Sequence, residues 1–94
     1  MSNPTLYLIQ SGYATTAQMI EQLAQMYAPD DQVVFLGESV LALAHDFITS
    51  LTEVYILEND AELLTQPHAS NVKIIDYATF AELCLSFSRC VSLK

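Results

Sequence analysis

The chain has 94 residues, 52% of them hydrophobic and only 15% charged, with 3 Lys plus Arg against 11 Asp plus Glu for a formal charge of -8. That balance repels a phosphate backbone, so direct nucleic-acid binding is excluded, and one domain spanning residues 1–94 is expected. No stretch supplies the roughly 20 predominantly apolar residues of a membrane span, because Gly37, Glu38, His45, Asp46, Glu53, Glu58 and Asp60 keep interrupting. Met1-Ser2-Asn3-Pro4-Thr5 carries no basic region or cleavage pattern, so no secretory signal is expected and the protein is placed in the cytoplasm.

Leu6-Tyr7-Leu8-Ile9 is the first β-rich run, ended by the turn Gln10-Ser11-Gly12. Thr15 with Gln18 predicts a capping box, and Ile20, Leu23, Ala24 and Tyr27 continue as one helical face until Pro29-Asp30-Asp31. Val33-Val34-Phe35-Leu36 is apolar throughout, as in a strand covered on both faces, and Gly37 closes it. A helix follows on the stripe Val40, Leu43, Ala44, Phe47, Ile48 and Leu51, with Glu38, Ala42, His45 and Thr49 on another side.

Val54-Tyr55-Ile56-Leu57 is the third run, and Asn59 with Glu62 predicts a cap for a short helix carrying Leu63 and Leu64. Gln66-Pro67-His68-Ala69-Ser70 reads as a loop, Val72-Lys73-Ile74-Ile75 as the fourth strand, and Phe80, Leu83, Cys84 and Phe87 as the last helical stripe. The tail from Cys90 to Lys94 is either an edge strand or frayed. Strand and helix alternating in this way predict an α/β fold: three layers, α/β/α, around a small mostly parallel sheet of four or five strands. The sheet's exposed edges and thinly covered faces would favour association.

Ligands of open parallel sheets sit at the carboxyl ends of the strands. Here those ends hold neither phosphate-loop glycines nor a phosphate-binding lysine, so no nucleotide or other cofactor is expected. Glu38, Glu58, Asp60 and Asp76 all follow strands at that edge; helix-start electrostatics and capping account for them better than a metal does. No metal site is expected. Two thiols, Cys84 and Cys90, lack Cys-x-x-Cys spacing and make neither a disulfide framework nor a zinc site. Cys84 lies on an apolar stripe and reads as a core thiol, His45 as a surface residue, and His68 as a loop residue. Cys90 is the one candidate for reactivity, since Arg89 beside it would favour a thiolate. No catalytic residue is otherwise assigned.

Val72-Lys73-Ile74-Ile75-Asp76-Tyr77-Ala78-Thr79-Phe80 resembles the strand and Asp-Tyr-x-x-Phe start of the helix near the C-terminus of the DsrH/TusB family of sulfur-relay subunits. Leu6–Ser11, Val34–Val40 and Val54–Asp60 are similar to that family's first three strands and the turns after them. The resemblance implies a DsrE/DsrF/DsrH-like fold and a heterohexamer with TusC/DsrF-like and TusD/DsrE-like subunits. That complex passes sulfur as a persulfide, in the TusBCD version toward 2-thiouridine at the wobble position of tRNA and in the DsrEFH version in sulfur oxidation.

Some DsrH members carry a cysteine on the first helix, but this chain has none from Ala14 to Ala28 and offers Met19, Ile20 and Leu23 instead. The cysteine-free TusB type is the better match, a non-catalytic subunit of a sulfurtransferase complex. The chain also lacks the Trp-containing tail common in the family and has Leu93 at about that place. The alternatives are an accessory persulfide carrier using Cys90, a subunit of a DsrEFH-type complex, and a homo-oligomeric α/β protein of unrelated function.

Overall fold

Each of the four apolar runs is a strand, and the tail adds a fifth. The computed structural model describes residues 4–64 and 69–94; His68, with most of its expected loop, lies outside the described residues. The order is β1 (Thr5–Ile9), α1 (Tyr13–Met26), β2 (Gln32–Phe35), a 3-10 helix (Gly37–Ala42), α2 (Asp46–Thr49), β3 (Val54–Leu57), α3 (Glu58–Ala61), β4 (Val72–Ile75), α4 (Tyr77–Ser86) and β5 (Arg89–Leu93). All strand pairs are parallel, in the spatial order β4-β3-β2-β1-β5.

That order fixes which helix covers which face. From β1 to β4 the chain steps three times in one direction, so right-handed crossovers put α1, the 3-10 helix with α2, and α3 on the same side. The return from β4 to β5 reverses direction and carries α4 to the opposite side. The sheet therefore lies between helical layers of unequal size.

Strand alternation sorts the side chains. Tyr7, Ile9, Val33, Phe35, Val54, Ile56, Val72 and Leu93 point into the larger layer, where they form one cluster with Ile20 and Leu23 of α1 and with Val40, Ile48 and Leu51. Tyr27 and Phe47 close its rim with an edge-to-face contact, ring centres 5.8 Å apart. Phe35 is fully buried there, worth about 1.5–3 kcal/mol of transfer free energy. On the opposite face Leu6, Val34 and Leu57 are buried, while Lys73, Cys90 and Ser92 toward the two edges are exposed.

Several local expectations are corrected. Helix α1 begins at Tyr13 with Gly12 as its cap, so Thr15 is inside the first turn and donates to the Gly12 carbonyl at 3.2 Å. The start is set instead by the buried Ser11–Thr16 hydroxyl pair at 2.8 Å, with Thr16 also reaching the Gly12 carbonyl. The single helix expected over the Val40–Leu51 stripe is two pieces. Gly37 takes φ +63°, a left-handed conformation that glycine adopts without strain, and turns the chain straight into the 3-10 helix.

Within that turn, buried Ser39 holds the chain to the sheet: its Oγ accepts from the Leu36 N–H at 3.1 Å and has the Ile9 and Leu36 carbonyls at 2.9 and 2.7 Å for its proton. His45 then caps α2, Nδ1 accepting from the Phe47 N–H at 3.2 Å. His45 is half-buried and structural, not a solvated surface residue. Similarly α3 starts directly after Leu57, which places Asn59 inside its first turn and not at its cap.

Candidate functional site

The carboxyl ends of the strands converge as the topology requires, and backbone groups occupy their carboxylates. Glu38 Oε1 accepts from the Tyr13 N–H at 3.5 Å, and Asp60 Oδ2 from the Gly37 N–H at 3.0 Å. Asp76 caps α4 through the Thr79 N–H at 2.8 Å, and that bond holds its carboxyl below its ordinary 3.8. Glu38 and Asp60 thus tie the loop after β1 to the loop after β2, and that loop to the one after β3. Glu58 stands in the first turn of α3. Among the described residues no group of three or more His, Cys, Asp or Glu could hold a metal ion.

Several large hydrophobic side chains are exposed. Tyr13 and Tyr77, at the starts of α1 and α4, are 58% and 61% exposed, and Leu41 and Leu63 are also exposed. Exposed tyrosines thus stand at the same helix starts as the acidic side chains.

At the opposite, amino end a shallow cleft of about 250 Å³ is lined by Tyr27, Pro29, Asp31, Gln32, Thr52 and Glu53. Asp31, only 5% exposed, is fully employed, accepting from the Thr5 N–H at 2.8 Å and the Ala28 N–H at 2.9 Å. Tyr55 is bonded to Glu53; burial foremost, then that bond and the carboxylate's charge, push its phenol up to about 12. The sequence marks Ser11 and Asp31 only as turn and helix-stop residues, and nothing in it signals the buried hydrogen bonds of Ser39, Asp31 or the Ser11–Thr16 pair.

The two cysteines lie at the amino end as well, on the α4 side. Cys84 is half-buried, not a core thiol, because no residue of α4 is fully buried. Burial first, and then the nearby Cys90, push its thiol up. Cys90 is exposed on edge strand β5, where it pairs in register with Leu6. Arg89, expected beside it, does not share its face. Alternation along β5 puts Arg89 on the other face, where its charge acts on Tyr7.

Among the described residues no helix is long and apolar enough to cross a membrane. The crystal structure of the ychN protein from E. coli is similar to this fold with a TM-score of 0.68, over 98% of this chain and 100% of that one, at 11% sequence identity. No curated protein sequence matches the chain. The family model for DsrH-like proteins matches residues 10–90, which takes in every element from the turn after β1 to the start of β5. With that match, and a five-stranded parallel α/β fold to accompany it, the chain belongs to the DsrH-like family of sulfur-relay subunits.

Proposed function

We propose that this chain is the non-catalytic, shape-giving subunit of a cytoplasmic sulfur-relay complex. It sits with TusC/DsrF-like and TusD/DsrE-like subunits in a heterohexamer that hands on persulfide sulfur for 2-thiolation of the tRNA wobble uridine. One observation carries the reading: α1 presents no thiol. In the stretch that stands where carrier members have their cysteine, Ile20 and Leu23 are fully buried in the core and Met19 is half-buried against it, so these positions serve packing. The acidic carboxyl edge with its exposed tyrosines supports contact with less acidic partner subunits.

The test is to purify the full chain alone and together with the two partner types and weigh each mixture by light scattering. A discrete assembly containing all three chains is expected; a stable species of this chain alone, indifferent to both partners, would remove the reading. Deleting the gene should abolish tRNA 2-thiouridine. Retained 2-thiouridine together with lost sulfur oxidation would move the subunit to a DsrEFH-type complex.

A second reading, Cys90 as accessory persulfide acceptor, is favoured by its exposure alone, with Arg89 turned away. Unchanged sulfur transfer in Cys90→Ser would dispose of it.

A further inference from the structure

The two thiols come from different elements that meet at one corner. Cys90 is the second residue of β5, and its side chain points to the α4 face, as does that of its register partner Leu6. The last turn of α4 lies over it, with Cys90 Sγ 4.0 Å from the Cys84 carbonyl oxygen. Phe87 and Ser88 are all that separate the helix from the strand. Helix α4 meets the sheet through half-buried residues alone. Cys90 is near enough to act electrostatically on the Cys84 thiol.

We propose that Cys90 and Cys84 are an attacking and resolving pair for thiol–disulfide exchange with low-molecular-weight disulfides. Access sets the order: Cys90 is exposed, whereas Cys84 is half-buried and its thiol is pushed up, so it holds little thiolate at neutral pH. Cys90, as the thiolate, attacks one sulfur of the disulfide RSSR; the Cys90–S–S–R bond forms and RS⁻ leaves. Cys84 gives its proton to solvent and attacks the Cys90 sulfur, closing Cys84–S–S–Cys90 and expelling a second RS⁻. Two protein thiols are oxidised, one disulfide is reduced to two thiols, and the protons released by the cysteines are taken up by the departing thiolates. The second step succeeds with a poorly ionised thiol because its target is held beside it.

The product is a staple from the last turn of α4 to edge strand β5, on the more thinly covered face of the sheet. The exchange does not rest on the subunit reading, because it is measured on this chain alone.

Incubate the reduced full chain with glutathione disulfide, alkylate the remaining thiols with iodoacetamide and weigh the intact protein. The expected product has lost two hydrogens, keeps no glutathione and takes no alkyl group. Cys84→Ser should trap one glutathione on Cys90, and Cys90→Ser should react at least about tenfold more slowly than wild type. Cys84→Ala gives the same trap without a hydroxyl at that position, and the far-ultraviolet circular dichroism of each variant confirms its fold. Wild type that retains glutathione while Cys84 stays open to alkylation, or that forms only linked dimers through Cys90, overturns the proposal.

Discussion

The two faces of one sheet are built to different standards. On one, α1, the 3-10 helix and α2 press fully buried side chains onto Tyr7, Ile9, Val33, Phe35, Val54 and Ile56. On the other, α4 brings Phe80, Leu83, Cys84 and Phe87 only to half-burial, and Leu85 is 87% exposed. The difference follows from topology: three crossovers in one direction load one side, and a single 10-residue return covers the other. The lightly covered side is therefore where both thiols and the exposed Leu85 are found.

Substitutions separate the faces by size of effect. Phe35→Ala, in the loaded core, should cost about 3–5 kcal/mol in urea unfolding, whereas Leu83→Ala on the half-buried stripe should cost about 1 kcal/mol. Equal costs would erase the distinction. Ser39→Ala comes next, at about 1–3 kcal/mol, because it strands the Leu36 N–H and removes the link to the Ile9 carbonyl.

A pH series distinguishes the faces more gently. Folding lowers the Asp76 pKa, so the cap on α4 is complete above its ordinary 3.8 and is lost as pH falls through the lower folded value. Amide protection should then fall in α4 before it falls in α1, whose cap, Gly12, does not titrate. At the alkaline end the sign reverses. Folding raises the Tyr55 pKa, so its contribution is complete below about pH 10 and fades as pH climbs toward 12, which absorbance of the phenolate would follow. Smallest of all, Leu85→Ser should leave unfolding unchanged within about 0.5 kcal/mol. A larger loss would mean that Leu85 is packed in the isolated chain.

The strands were legible because continuous apolar runs bounded by Gly12, Pro29 or Gly37 leave little else for the chain to do. Val54–Leu57 and Val72–Ile75 have the limits their sequences suggest, and the parallel, two-layered covering follows from the same runs. The helix expected through Val40–Leu51 failed for a reason that periodicity cannot register: spacing reports which side chains face the core, whereas Ser39 and His45 act on backbone groups. At the candidate site, Asp76 was readable as a cap because it contacts its own helix. The ties from Glu38 to Tyr13 and from Asp60 to Gly37 depend on how neighbouring loops stack, across 25 and 23 positions of sequence. Arg89 and Cys90 show the opposite hazard. They are neighbours in sequence, and the pleat of β5 parts them to opposite faces, while Cys84, six positions away, is brought to Cys90.

The most direct test of the central claim follows sulfur through the whole assembly. Load the complex of this chain with its two related subunits from an isotopically labelled persulfide donor under reducing conditions, and weigh every subunit intact. The expected result is labelled sulfur on a partner subunit and none on this chain. Labelled sulfur accumulating on Cys90, with transfer lost in Cys90→Ser, would contradict a non-catalytic role.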